Sequence, residues 1–257
     1  MAGGDRLFAL GQFCGCNARV RDALEPPRQS DHEIALGVNL KNIGIFCGLA
    51  GLAFAAAAYT ASPTQATAAA PSKLVYQVMR NGDPVGQHSL TFARNGDMTD
   101  VDISTRVAVK MAFITVYRFE HDGHETWRGN RLVALTSQTN DDGTRHQLKV
   151  ATEGESLRIA ADGKHMTAPA NILPASMWRP GVVQQSELVN TLDGKRMQVS
   201  ARDMGQDTVK AAGHSTKAHH YKISGNIDRD VWFGPGDMLV RMQFAAKDGS
   251  TIVYELQ

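Results

Sequence analysis

The sequence predicts an all-β protein, a single antiparallel meander curled into a partly open barrel or a sandwich, with one short helical or lid segment near 170–190. Three observations carry this prediction. Turn dipeptides built from Gly, Asn and Asp recur from residue 81 onward, the segments between them are short and rich in β-formers, and one proline-bearing interval interrupts the rhythm. A sheet of so many strands must curl or split to bury one face.

The first element is a leader. Residues 43–58, IGIFCGLAGLAFAAAA, form an uncharged apolar run, with Lys41 before it and Ala66, Thr67 and Ala68 after it. This is the n-region, h-region and small-residue site of a secretory signal. Residues 38–68 are therefore read as a signal peptide cleaved after Ala68, and 69–257 as an exported β-domain, periplasmic or secreted. The competing reading is an inner-membrane anchor over 43–61, a length that approaches a bilayer span; the Ala-rich stretch after the run favours cleavage. Residues 1–37 are a mixed polar stretch that no signal requires. Either they are untranslated, with Val38 as the true start, or the n-region is unusually long. Cys14, Cys16 and Cys47 all precede the cleavage point, so the exported domain is free of cysteine, and its size lets it fold without disulfides. Cys47 lies near the start of the apolar run, the wrong end for lipidation.

Downstream, Asn81-Gly82, Asn95-Gly96, Asp122-Gly123, Gly129-Asn130, Asp142-Gly143, Asp162-Gly163, Asp193-Gly194, Gly225-Asn226 and Asp248-Gly249 supply the positive-φ positions of tight hairpins. Strands are expected at 74–80, 85–93, 99–110, 113–121, 125–128, 132–140, 145–152, 156–161 and 164–167. Beyond the interruption they resume at 197–201, 207–211, 217–224, 230–233, 238–246 and 251–256. Alternation is cleanest in 99–110, where Val101, Ile103, Val107 and Val109 share one face and Asp102, Ser104, Arg106 and Lys110 the other.

The interval 168–192 contains Pro169, Pro174 and Pro180 together with Trp178. It predicts a short helical turn or lid at 174–178 and a strand or brief helix at 183–189, with Trp178 plugging the mouth of the sheet.

Net charge is +1 with both signs interspersed, so no basic stripe suggests nucleic acid. Two histidine groups attract attention, His121 with His124 and His214 with His219 and His220. The first pair flanks the expected Asp122-Gly123 turn and would chelate a metal across it, but neither group has the third ligand of a zinc site, and no metal, cofactor or catalytic residue is assigned. Ser176 lacks the Gly-x-Ser-x-Gly elbow of a hydrolase. Trp232 and Phe233 fall on opposite faces by alternation, so one of the two is expected to be exposed or against a ligand. In 113–119, Phe113 and Tyr117 belong to a run that is apolar on both faces, which requires cover on each side.

The succession Pro174-x-Ser176-x-Trp178, Leu192-Asp193-Gly194, Tyr221-x-Ile223-x-Gly225, Asp230-Val231-Trp232-Phe233, Gly236-x-Met238-Leu239-Val240 and Asp248-Gly249-Ser250-x-Ile252-x-Tyr254-x-Leu256 resembles an uncharacterised family of bacterial exported β-proteins, a domain of unknown function. Leu74-x-Tyr76-x-Val78 fits its opening strand. In architecture the chain is also similar to the half-barrel carriers of periplasmic lipoproteins, which implies a curved sheet with an apolar guest.

The leading functional reading is a non-enzymatic envelope protein holding an apolar or lipid-like ligand between its concave face and Trp178, with Phe113, Tyr117, Trp232 and Phe233 as further contacts. The alternatives are a hydrolase or metal enzyme using His121/His124 or His214/His219, and an assembly partner docking through a sheet edge.

Overall fold

A computed structural model describes residues 72–257; the readings of the leader lie outside the described residues. Fifteen strands follow one another: β1 (Lys73–Arg80), β2 (Asp83–Asn95), β3 (Met98–Met111), β4 (Ile114–Arg128), β5 (Arg131–Asp141), β6 (Thr144–Glu153), β7 (Ser156–Ala161), β8 (Lys164–Pro169), β9 (Leu173–Pro174), β10 (Glu187–Val189), β11 (Arg196–Ala211), β12 (His214–Gly225), β13 (Arg229–Phe233), β14 (Leu239–Ala245) and β15 (Thr251–Leu256).

They form one sheet made of two meanders, β1 to β8 and β9 to β15, joined side by side where β1 pairs with β15. Only β9 and β10 run parallel. The free edges are β8 and β9, so the sheet is not closed into a barrel, and closure is approached by side chains instead of a backbone ladder. The Ser137 hydroxyl of β5 donates to Thr191 O at 2.6 Å. Gly194, at φ +69, lies so close to β6 and β7 that a Cβ would stand 2.5 Å from Ile159 Cγ2 and 3.0 Å from Leu148 Cδ1.

The expected all-β class, with one mostly antiparallel sheet left partly open, is borne out, while the sheet consists of two meanders where one was expected and several elements differ in instructive ways. Asp122-Gly123 is not a turn. Both residues lie in the middle of β4, opposite Ser104 and Ile103. Asp122 is held on the outer face by Arg106 at 2.7 Å, and Gly123 occupies the inner face, where the missing side chain leaves room for Ile103 and His121. The expected strands 113–121 and 125–128 are therefore one strand, and the turn before it is formed by Ala112 and Phe113. In the same way 197–201 and 207–211 merge into β11, which bends at a bulge between Asp203 and Gly205. No helix forms at 174–178; Pro174 ends β9, and a 3-10 turn follows at Pro180–Gln184, started by a proline whose missing N–H needs no partner there.

Apolar side chains of both meanders meet on the inner face, where Tyr76, Val78, Leu90, Val101, Leu157, Ile223 and Ile252 are almost wholly buried. Within this core Thr105, His121, Ser137 and Thr139 are buried polar groups.

Candidate functional site

The residues expected to carry function are spread over three places. The first is the proline-bearing interval. Inward parity along β4 sets Tyr117, Phe119, His121, Glu125 and Trp127 in the core, and Glu125 is 0% exposed. Its Oε2 accepts hydrogen bonds from Trp127 Nε1 and Trp178 Nε1, each at 2.9 Å. Its Oε1 has no hydrogen-bond partner. Trp178 meets Phe92 edge-on at 5.2 Å and Trp127 at 5.9 Å, while the Arg179 guanidinium lies 4.2 Å above the Trp127 ring. Burial raises the Glu125 carboxyl above the usual range, against the lowering effect of the two indole N–H groups, Ser176 and Arg179. Trp178 is thus a latch that fixes the interval onto β4, half-buried and wedged between two aromatic rings. Sequence reasoning missed Glu125. A continuous β4 would have revealed it as a charged residue at core parity.

The second place is the histidine groups. His121 faces inward, with Nδ1 2.8 Å from Thr139 Oγ1, and His88 stands beside it with Nδ1 2.8 Å from Thr105 Oγ1. Burial lowers both imidazoles, His121 to about 4 and His88 to about 3, with the neighbouring His121 adding to the effect on His88. His124 points outward, with Nδ1 2.7 Å from Asp102 Oδ1. His121 and His124 therefore lie on opposite faces of one strand and cannot share a metal. His214, beside the β11–β12 turn, is five residues from His219, roughly 16 Å along an extended strand. His219 stacks on Tyr221 and contacts Asp203 at 2.6 Å. Among the described residues no group of three His, Cys, Asp or Glu could hold a metal ion.

Trp232 and Phe233 are both buried, so of the two alternatives, exposure or contact with a ligand, exposure is corrected. The ladder shifts register between them, Phe233 turns inward toward Tyr221, and Trp232 is roofed on the outer face by His220, stacked at 4.3 Å, while its Nε1 donates to Asp207 Oδ2 at 3.0 Å. Tyr117 is buried too and donates to Asp141 Oδ1 at 2.6 Å; burial and that bond raise its pKa.

The third place is the β3–β4 hairpin. Its ladder runs on to Met111 opposite Ile114, but β2 last opposes β3 at Val107, and β5 last opposes β4 at Phe119. Beyond those pairings residues 110–116, all exposed, form a two-stranded ribbon, with Val109 and Tyr117 buried at its base. At its end Met111 is 63%, Phe113 100% and Ile114 71% exposed. The turn sets Ala112 at φ 54, although every other hairpin turn among the described residues contains Gly, Asn or Asp. Phe113 is thus the most exposed of the expected ligand-contact residues, and it shares no site with Trp178, Trp232 or Tyr117.

The inner packing, the latch and the ribbon can now be set beside known proteins. No curated protein matches the chain. A family model described as a domain of unknown function, DUF6134, matches residues 76–257. The chain belongs to the DUF6134 family. The matched span starts within β1 and so contains the latch, both interior histidines and the whole ribbon. The DUF6134 sheet is also similar to a crystal structure of a beta-barrel-like protein of the DUF1849 domain of unknown function from Brucella abortus, with a TM-score of 0.51 and 8% identity over 72% of this chain and 94% of that one. At that identity the likeness concerns the fold alone.

Proposed function

We propose that this DUF6134 protein is a non-enzymatic β-protein of the bacterial envelope, exported by its leader, and that it binds a lipid-like partner, the surface of a phospholipid bilayer, through the tip of the β3–β4 ribbon. The observation that carries the reading is the set of Met111, Phe113 and Ile114 side chains, exposed together on a projecting turn. A concave-face ligand has weaker support, because the inward side chains of both meanders pack against one another and the Trp178 side chain is engaged by Glu125.

A convex apolar tip suits a fluid surface, which moulds itself around any projection. Immersing these three side chains is worth roughly 4–6 kcal/mol, enough for weak, reversible attachment. Depth is self-limiting. The outer edges of a two-stranded ribbon carry unpaired N–H and C=O groups, which are costly in hydrocarbon, so the tip stops at the headgroup boundary. Lys110, opposite Thr115, is placed to reach back to the phosphates while its stem lies along the apolar residues.

The test is flotation of the protein with vesicles of phosphatidylethanolamine and phosphatidylglycerol, comparing it with a Phe113→Asp/Ile114→Asp variant. Both residues lie outside the core, so the variant keeps the β-sheet circular dichroism of the parent. Flotation of the parent and not of the variant supports the reading; equal flotation, or none by either, overturns it.

A further inference from the structure

A second site lies at the opposite end of the sheet. β4 carries the chain from the ribbon tip at Ile114 to Arg128, roughly 45 Å of extended strand. There the β4–β5 turn, the link from β8 to β9 and the 3-10 turn at Pro180–Gln184 surround an open cleft of about 670 Å³. Its chemistry is one-sided. Three guanidinium groups, Arg128, Arg131 and Arg179, line it, together with the amides of Asn130 and Asn171, against a single acid, Glu155.

Arg179 is the organised member of the set. Its guanidinium carbon lies 4.2 Å from the Trp127 ring centroid and 5.1 Å from that of Trp178, and its Nη2 donates to the neutral acceptors Asn130 Oδ1 at 2.7 Å and Gly129 O at 3.2 Å. Glu125, its nearby acid, is buried, with Oε2 held by the two indoles and no hydrogen bond to Arg179. Arg131 donates to Gly154 O and approaches Glu155 only to 3.6 Å. Arg128 approaches Asp97 at 3.7 Å. Both ion pairs are long and solvent-exposed, the kind that contribute little and exchange readily. Three cations within one concavity, one of them held in place by stacking and none in a tight salt bridge, form an arrangement that suits a doubly charged oxyanion taken up by several donors at once.

We propose that this cleft binds the phosphate group of a small soluble phosphate ester. The volume exceeds what inorganic phosphate needs, leaving room for an organic body among Leu173, Pro180 and Gly181. A phospholipid headgroup would offer the same chemistry. Because the cleft and the ribbon tip lie at opposite ends of β4, a protein attached by its tip holds the cleft away from that bilayer, which favours the soluble source. The choice of a soluble source rests on membrane attachment by the tip; phosphate binding by the cleft does not.

The test is isothermal titration of the full-length protein with glycerol 3-phosphate, inorganic phosphate and glycerol in 150 mM salt, on the order of physiological ionic strength, with flotation on phosphatidylglycerol vesicles run in parallel. The expected result is saturable binding of glycerol 3-phosphate, no heat with glycerol, and an affinity at least about tenfold lower in an Arg128→Gln/Arg131→Gln variant. That variant removes two exposed charges and leaves the stacked Arg179 intact, so it folds. Binding should persist unchanged in Phe113→Asp/Ile114→Asp, which separates this site from the membrane tip. Absence of binding by either phosphate, an affinity that ignores the arginine changes, or arginine-dependent flotation without binding of the soluble esters would each overturn the proposal.

Discussion

His121 makes the core sensitive to acid in a way that can be calculated. Its ring is buried on the inner face between Phe119 and Thr139, where Nδ1 meets a hydroxyl. Burial is the main cause that lowers it from 6.5 to about 4, with Arg106 adding to the effect and Asp122, on the outer face, opposing it. In the unfolded chain the imidazole keeps its ordinary affinity for a proton. The folded state therefore binds fewer protons, and the stabilisation is fully present above about pH 6.5 and is lost as pH falls toward about 4. Each tenfold difference in proton affinity is worth about 1.4 kcal/mol, so the loss over this window is about 3 kcal/mol from His121 alone. His88, lowered further, extends the loss to more acid conditions. The assay is urea unfolding at half-unit steps from pH 7.5 to 4, for the parent and His121→Asn, which keeps a polar partner for Thr139 but does not titrate. The parent should lose about 3 kcal/mol more than the variant across the window. Parallel curves for the two proteins would refute the assignment.

Other consequences of the packing are open to similar checks. Trp178→Phe keeps the ring contacts with Phe92 and Trp127 but removes one donor to the Glu125 carboxyl group, so it should cost about 1–2 kcal/mol. Denaturant midpoints of the parent and the variant decide, and an unchanged midpoint would contradict the latch. Arg229 is buried with its Nη1 near Met242 Sδ at 3.2 Å, its guanidinium over Phe244 and its Nε without a partner. A buried charge so poorly compensated is a liability, so Arg229→Met should raise the melting temperature, and a fall of several degrees in calorimetry would show that the guanidinium is stabilising.

Much of the architecture was legible in local chemistry. Asn81-Gly82, Asp142-Gly143 and Asp162-Gly163 announce their turns because an L-residue resists the backbone that such turns need, and strict alternation fixes which face of β3 is buried. The same logic misleads at Asp122-Gly123, which lies within β4 with Gly123 packed beside Ile103 and His121 and not at a turn. It is silent at Ala112–Phe113, where the turn residues are apolar. The pairing of β1 with β15 is invisible locally, since it joins the two ends of the described chain. The candidate sites divide the same way. Phe113 could be singled out as an apolar residue with unexplained surroundings, but its place on a projecting ribbon follows only from where the pairing of β3 with β2 and of β4 with β5 ends. Glu125, Arg128 and Arg179 come together from the end of β4 and the link beyond β9, and no local spacing unites them.

The central claim is that Phe113 and Ile114 enter a lipid surface. Its most direct measurement places a cysteine carrying an environment-sensitive fluorophore at position 113 in an otherwise cysteine-free background and adds vesicles of phosphatidylethanolamine and phosphatidylglycerol. A blue shift and protection from an aqueous quencher at 113, with no change for the same probe at Lys149 on the distant outer face, is the result predicted. A probe at 113 that stays in water while the protein floats with the vesicles would contradict it.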